Sequence, residues 1–176
     1  MDFLKERLVV HKLSKDTILL SGDQVVERLY YIHEGLLRNY YFNQDGRDTT
    51  GWFAAQAEIL YFSNRYRHRI SLLGTVQLLE KCTLVSLRYD ELDELYELDQ
   101  AANALGRRIP EHQLQYFMKR ESLFRTRDSD ERYNRFLELF PHLLGRTQKQ
   151  HEASYLELST GTISRVLSGT SKKSKK

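Results

Sequence analysis

The sequence has 176 residues, of which 40% are hydrophobic, so it is long enough for one large or two small domains with a buried core. It contains no apolar run of the length that a membrane span requires, and its charged N-terminal segment lacks the pattern of a signal peptide. The single cysteine, Cys82, excludes an intrachain disulfide and fits a reducing compartment, so we predict a cytoplasmic protein without membrane association.

Charge is divided unevenly along the chain, although the formal net charge is only +3. Residues 1–99 contain 12 lysines and arginines against 16 acidic residues, whereas residues 100–176 contain 15 against 8. An acidic half joined to a basic half indicates that only the second half meets a polyanion. The final SKKSKK segment is predicted to be disordered, and either attracts phosphate without specificity or serves as a solubilising tail.

The acidic half predicts short β-strands after a short amphipathic helix at residues 3–8. Gly46 lies in a turn that predicts a hairpin, and Glu80-Lys81 predicts a further antiparallel pair between the last two strands. Many short strands with glycine turns are typical of a double-stranded β-helix, or jelly roll, which binds a ligand more often than it catalyses a reaction. The strands are expected at residues 17–20, 29–32, 36–42, 48–53, 75–79 and 83–88.

Residues 54–70 interrupt the strand pattern and contain Arg65, Arg67 and Arg69. In a β domain such an interruption either carries ligand contacts or forms an exposed connection with solvated charges. The residues alone leave both interpretations open.

The basic half predicts helices. A long helical stretch is expected from residue 89 to about residue 124, with a kink or a break where Gly106 and Pro110 occur. A second helix is expected at residues 130–140, where Pro141 ends it.

A seven-residue repeat of large apolar groups marks the long helix, at Ile109, Tyr116 and Leu123. Such spacing predicts that the helix packs on another helix, for example its copy across a two-fold axis. Packing on the β domain of the same chain explains the repeat equally well, and both faces of the helix are apolar enough to do both.

Residues 148–168 predict two short helices joined by a tight turn at Leu156-Glu157-Leu158, with Ser159 or Thr160 capping the second helix. One face of the second helix is apolar and is expected to be buried. The opposite face carries short polar groups, one arginine and no acid, which suits the major groove of DNA; a plain helical hairpin is the alternative. The apolar face comprises Ile163, Val166 and Leu167, and the polar face comprises Thr160, Gly161, Ser164, Arg165 and Ser168.

Three motifs follow one another in the C-terminal part: an ERYNRFLELFP segment at residues 131–141, an ASYL segment that begins at Ala153, and a TISR segment that ends at Arg165. Together they resemble the bacterial Crp/Fnr family of transcription regulators. The resemblance implies that Arg165 reads guanine, while Thr162 and the helix start meet phosphate. It implies a DNA-binding set of Ser159, Thr160, Gly161, Thr162, Ser164 and Arg165.

Three departures from the family pattern concern the turn, the wing and the ligand. Glu157 stands where the family often has glycine, and nothing after Ser168 is suited to the β wing of many members, so weaker backbone anchoring is expected. Glu58 matches the family's ribose-binding glutamate, but residues 71–73, Ser-Leu-Leu, fall where the phosphate-binding arginine is expected. We therefore expect no response to cyclic AMP, since leucine cannot neutralise a buried phosphate. Glu58 and Arg69 remain the candidate effector-binding residues.

The sequence lacks the residues that metal cofactors and catalytic sites require. One cysteine cannot hold an iron–sulfur cluster, and neither His11, His33 nor His68 lies in a cluster with ligand spacing. No catalytic or nucleotide-binding motif is present. We predict no cofactor, no metal site and no catalytic residues, and hence a protein that is not an enzyme.

Together these patterns predict an α+β protein with three parts. Residues 1–98 form a β domain like those that bind cyclic nucleotides, residues 99–125 a dimerisation helix, and residues 126–176 a helix-turn-helix DNA-binding domain with a basic tail. The predicted function is a dimeric transcription regulator that reads a two-fold symmetric operator and has, at most, an unknown small-molecule effector. The alternative is a small-molecule sensor whose DNA-binding part has decayed.

Overall fold

The structure, a computed structural model, describes residues 2–21, 24–62 and 74–169. The predictions for Arg65, Arg67 and Arg69, for residues 71–73 and for the SKKSKK tail concern positions outside these ranges.

Antiparallel strands make up most of the described acidic half, after the short helix α1 (Asp2–Arg7). Their bounds are Val9–Leu13 (β1), Ile18–Leu20 (β2), Arg28–Glu34 (β3), Leu36–Phe42 (β4), Asp48–Ala55 (β5), Ile59–Leu60 (β6), Thr75–Leu78 (β7) and Cys82–Arg88 (β8). They form two four-stranded sheets with the orders β1-β8-β3-β6 and β2-β7-β4-β5. The predicted hairpin is present as β4 and β5, and Gly46 in its turn has a φ of 72°.

The prediction that residues 75–79 and 83–88 pair with each other is wrong. Strand β7 pairs with β4 and β2, whereas β8 lies in the other sheet and pairs with β3 and β1. Two of the places where the chain changes sheet are Gly35, between β3 and β4, and residues 79–81, between β7 and β8. These two crossings are neighbours because Leu79 N–H donates to Leu36 O. Apolar residues recur in all these strands, so the local pattern does not specify which strand is the partner.

Two hydrophobic cores hold the molecule together. The first core lies between the two sheets, and its buried residues come only from positions 20–92. The second core lies between the outer face of the β4–β5 hairpin and the helices that follow, so it draws residues from both halves of the chain. Adjacent positions of β5 therefore serve different cores: Ala54 belongs to the first, while Phe53 and Ala55 belong to the second.

Helices occupy the second half. Their bounds are Tyr89–Leu98 (α2), Gln100–Phe124 (α3), Ser129–Leu139 (α4), Lys149–Leu156 (α5) and Thr160–Leu167 (α6), with a short 3-10 turn at Pro141–Leu143. This succession of antiparallel sheets and helices confirms the α+β class, whereas the jelly-roll connectivity stays a prediction. No helix within the described ranges is long and apolar enough to cross a membrane.

The long helical stretch breaks at Asp99, so the predicted break at Gly106 or Pro110 is wrong, whereas a kink there stays a prediction. The Asp99 side chain caps α3 by accepting hydrogen bonds from Ala101 N (2.7 Å) and Ala102 N (3.3 Å). Helix α3 then runs through both Gly106 and Pro110. Gly106 faces Tyr96 of α2 so closely that a Cβ atom would collide with the tyrosine ring, so this glycine serves helix packing and does not end the helix.

Two of the three members of the seven-residue repeat on α3, Tyr116 and Leu123, face inward. Leu123 is fully buried in the second core, and Tyr116 packs against the same core. The exposed apolar side of α3 carries Leu114, Phe117 and Met118, which are 60%, 51% and 63% exposed. For Tyr116 and Leu123 the structure confirms packing within the chain, whereas a dimer contact through α3 stays a prediction.

Candidate nucleic-acid interface

Helices α5 and α6, the C-terminal helix pair, are joined by the turn that the sequence predicted. Glu157 ends α5 in the left-handed conformation (φ 55°, ψ 44°), which allows Leu158 N to reach Ala153 O at 2.9 Å. Ser159 then caps α6 by accepting a hydrogen bond from Thr162 N at 3.0 Å. A non-glycine residue in this conformation is uncommon. The turn nevertheless adopts it at Glu157, where the family often has glycine.

Helix α4 fixes the position of the helix pair. Arg132 donates to the C-terminal carbonyl of α5 at Leu156 O (3.1 Å) and also to Thr126 O, which joins three segments. The Tyr133 hydroxyl donates to the Glu152 carboxylate at 2.8 Å inside the second core. Burial and this hydrogen bond raise the pKa of Tyr133 well above its usual value.

The outward face of α6 is polar, as predicted, and only Ile163 of the helix is fully buried. Thr160, Gly161 and Ser164 are exposed, and Thr162 is half-buried. Leu167 was expected on the buried face but is 48% exposed. The face gains a cation from α5, because Lys149 Nζ lies 3.3 Å from Ser164 Oγ.

Arg165, the predicted reader of guanine, forms an ion pair with Asp130 of α4. Asp130 lies in the first turn of α4, and its side chain is only 12% exposed. The guanidinium is therefore held at one side of α6, at the margin of the exposed polar face. Sequence periodicity within α6 carries no information about this pairing, because its partner lies 35 residues earlier.

Of the two candidate effector residues, Arg69 lies outside the described residues, and only Glu58 lies within them. The Glu58 carboxylate accepts a hydrogen bond from Ala55 N (3.4 Å) and lies close enough to Tyr116 and Lys119 to influence ionisation. Burial raises the pKa of Glu58 to about 7, against smaller opposing effects of the Ala55 hydrogen bond and of Lys119. Glu58 thus faces the helices and the second core.

Aromatic side chains fill the neighbouring part of the first core. The rings of Trp52 and Phe62 lie 6.5 Å apart, and those of Tyr61 and Tyr89 meet edge to face at 5.5 Å. The Tyr89 hydroxyl also accepts from Phe62 N at 2.9 Å. Within the described residues no group of three histidine, cysteine, aspartate or glutamate side chains could hold a metal ion.

Comparisons with known proteins bear on the fold. No family model and no curated protein matches the sequence. Among solved structures, FixK2 from Bradyrhizobium japonicum superposes with a TM-score of 0.78 at 19% identity, over 92% of this chain and 83% of that chain. A Crp/Fnr-family regulator from Eubacterium rectale gives 0.73 at 17% identity, over 96% and 80%. The c-di-GMP-responsive regulator CLP from Xanthomonas campestris gives 0.72 at 15%, over 96% and 89%.

The chain has the Crp/Fnr fold. This confirms the fold that the sequence resemblance implied. The proteins from Eubacterium rectale and Xanthomonas campestris are regulators, and a protein from Listeria monocytogenes that contains a cyclic-nucleotide-binding domain superposes with a TM-score of 0.76 at 10% identity, over 96% of this chain and 84% of that chain. The sequence analysis did not identify two further residues of the candidate interface, Lys149 beside Ser164 and Asp130 beside Arg165. Lys149 was identifiable as a basic residue at the start of α5, whereas Asp130 gave no local signal.

Proposed function

We propose that this chain is a Crp/Fnr-type transcription regulator and not an enzyme. It forms a homodimer, and α6 of each subunit contacts double-stranded DNA. In this proposal residues 1–98 form the effector domain, residues 99–125 pair two subunits, and residues 126–176 bind DNA. The observation that carries it is the exposed face of α6, which is free of acids, short in its side chains and presented by a capped helix.

The shape of this face suits the major groove. Thr160, Gly161 and Ser164 have small side chains, so the backbone of α6 can approach base edges closely. Ser159 and Thr162 lie at the N-terminal end of the helix, where hydroxyl and backbone N–H groups favour phosphate oxygens. Lys149 adds a positive charge beside Ser164.

Arg165 is the proposed reader of guanine. Its guanidinium has five donors, so one edge can stay on Asp130 while another faces O6 and N7 of a guanine. The ion pair would then hold the arginine in one orientation before DNA arrives, which lowers the entropic cost of the contact.

The dimer contact is assigned to the exposed apolar side of α3. Phe117 and Met118 line a shallow groove of about 470 Å³, together with Glu121, Ser122 and Arg125. Glu121 and Arg125 form an ion pair at 3.0 Å beside this groove. An apolar strip flanked by charges of both signs is typical of helices that pair, and two copies related by a two-fold axis present both half-sites of a symmetric operator.

An effector, if the domain has one, is proposed not to be cyclic AMP. Leu72 and Leu73 occupy the sequence positions where the phosphate-binding arginine is expected. Glu58 lies beside Lys119 and Tyr116, so its carboxylate is engaged on the helix side of the β domain.

The DNA contact is tested with duplexes that the protein selects from a random library. Arg165→Ala should weaken binding to a selected duplex by about 1–3 kcal/mol and leave binding to a scrambled duplex nearly unchanged. Fluorescence anisotropy at one fixed salt concentration measures both affinities. Arg47→Ala, which removes an exposed arginine from the β4–β5 turn, is the matched control and should change neither.

Equal losses on selected and scrambled duplexes would make Arg165 a phosphate contact. Failure of the unaltered protein to select any duplex would contradict DNA binding as the function.

The dimer contact is tested by sedimentation velocity. The double variant Phe117→Asp, Met118→Asp should sediment as a monomer, because two charges replace apolar groups on the α3 strip. Val25→Asp, at an exposed apolar position of the β domain, is the control and should stay dimeric. A double variant that remains dimeric would place the contact elsewhere.

A further inference from the structure

Among the strands of the described ranges, β4 is the only one that pairs with β5, so β5 lies at the edge of its sheet. The backbone N–H groups on the free side of an edge strand have no strand to bond and must find other acceptors when buried. The residues Thr50, Phe53 and Ala55 of this strand are nevertheless buried almost completely.

Three amides on the free side of β5 each donate to a side chain. Thr50 N donates to Ser154 Oγ of α5 at 3.1 Å, and Phe53 N donates to the Tyr116 hydroxyl of α3 at 3.0 Å. Ala55 N donates to the Glu58 carboxylate at 3.4 Å. These side chains thus take the place of a missing neighbouring strand.

The spacing of the amides comes from an irregularity in β5. The pairing with β4 skips a residue, since Asn39 lies opposite Trp52 and Tyr40 lies opposite Thr50, which leaves Gly51 as a β-bulge. Without the bulge, Thr50 and Phe53 would direct their amides to opposite sides of the strand. The bulge therefore places both donors on the side where the helices lie.

Helix α5 is attached to this edge by two consecutive residues. Ser154 Oγ accepts from Thr50 N and also donates to Thr50 Oγ1 at 3.0 Å. The Tyr155 ring packs on Phe53 at 5.2 Å, and its hydroxyl lies 3.2 Å from that of Tyr116. Because donors and acceptors must match, α5 fits the edge in one register.

We propose that the free edge of β5 sets the orientation of α6, with Ser154 and Tyr116 as positioning residues that dock the C-terminal helix pair on the β domain. The docking claim stands on the geometry of the edge, whereas its consequence for DNA reading rests on the proposed function. Neither residue contacts DNA in this proposal; each acts by holding the orientation of α5, which the turn at Glu157 transmits to α6.

The docking is tested by amide hydrogen exchange on the full chain. The Thr50 and Phe53 amides should exchange slowly in the unaltered protein. Ser154→Ala should speed exchange by about tenfold at Thr50, and Tyr116→Phe should do so at Phe53, while core amides such as Leu84 keep their rates. Ser154→Thr keeps the hydroxyl and should restore slow exchange at Thr50. Ser14→Ala and Tyr41→Phe, at exposed positions, are the controls.

The effect on reading is tested with selected and scrambled duplexes. Ser154→Ala should weaken binding to the selected duplex by about three- to tenfold, the equivalent of one hydrogen bond, and Ser154→Thr should restore it. Fast exchange at Thr50 and Phe53 in the unaltered protein would overturn the docking, whatever the DNA result. If the Thr50 and Phe53 amides exchange slowly in the unaltered protein but Ser154→Ala leaves the affinity for the selected duplex unchanged, the positioning role is overturned. If no duplex binds at all, the proposed function fails while the exchange result still decides the docking.

Discussion

The two hydrophobic cores differ in which parts of the chain build them. The first core is enclosed between the two sheets and is mostly aliphatic, with residues that all come from the acidic half. The second core joins the β4–β5 hairpin to four helices and is rich in aromatic rings, including Phe53, Phe136, Phe140 and Tyr155. The first core can therefore form within one contiguous stretch, whereas the second requires both halves of the chain.

The second core links the helix pair to the β domain. Ring centroids of Phe53 and Tyr155, of Phe136 and Tyr155, and of Tyr116 and Phe140 lie 5.2–5.8 Å apart, within the range of favourable aromatic pairs. Side chains from β5, α3, α4 and α5 meet in this one cluster. A change in the second core should therefore affect the folding of the sheet and the docking of the helices together.

The largest expected effect comes from removing an aromatic ring on the boundary between the halves. Phe53→Ala should lower the free energy of unfolding by about 3–5 kcal/mol and speed amide exchange in α5, because it leaves a cavity beneath Tyr155. Leu84→Ala, in the first core, should cost about 2–5 kcal/mol without a selective effect on α5. Urea denaturation and hydrogen exchange measure the two effects. A selective loosening of α5 in both variants would remove the distinction between the cores.

A medium effect is expected from Glu58, which lies beside the second core. Because its pKa is raised from 4.5 to about 7, the folded chain holds a proton over that interval that the unfolded chain has released. Glu58 therefore makes the free energy of unfolding fall as pH rises through the interval. The glutamine in Glu58→Gln cannot ionise. The free energy of unfolding of this variant should therefore exceed that of the unaltered protein by an amount that grows from near zero at about pH 4 to about 1–2 kcal/mol at about pH 8.

Urea titrations across that pH range measure this difference. Asp45→Asn, which neutralises an exposed acid in the β4–β5 turn, is the matched control and should give a flat difference. A difference for Glu58→Gln that does not grow with pH would mean that the carboxylate is well solvated.

The smallest expected effect concerns the turn of the helix pair alone. Glu157→Gly should raise the free energy of unfolding by about 0.5–1 kcal/mol, because glycine adopts the left-handed conformation without the steric penalty of a Cβ atom. Glu157→Ala retains the Cβ atom and should give no gain. Thermal denaturation measures both, and an equal gain in the two variants would point to the charge of Glu157 instead of its backbone conformation.

Local features were predictable from the sequence because neighbouring residues produce them. The β4–β5 hairpin follows from its turn residues and Gly46, and the cap at Ser159 follows from a hydroxyl beside a polar helix start. The polar face of α6 follows from helical periodicity. The Crp/Fnr fold followed from motifs that lie within such segments.

Features that join distant residues were not predictable in the same way. The partners of β7 and β8, the inward face of α3 and the pairing of Arg165 with Asp130 each depend on which elements become neighbours in space. The break at Asp99 was missed because Gly106 and Pro110 are stronger local signals, yet packing against Tyr96 explains Gly106.

The sequence by itself determined most of the strands and helices, the turn of the β4–β5 hairpin and which face of α6 is polar, since backbone conformation and periodicity act over a few residues. It gave no sign of β1, of β6 or of the break at Asp99. Only the tertiary structure decided that the edge of β5 is covered by Ser154 and Tyr116, that Glu58 faces the helices and that Arg165 is held by α4. Buried amides and charges need partners, and the fold brings those partners from positions 35 to 104 residues away.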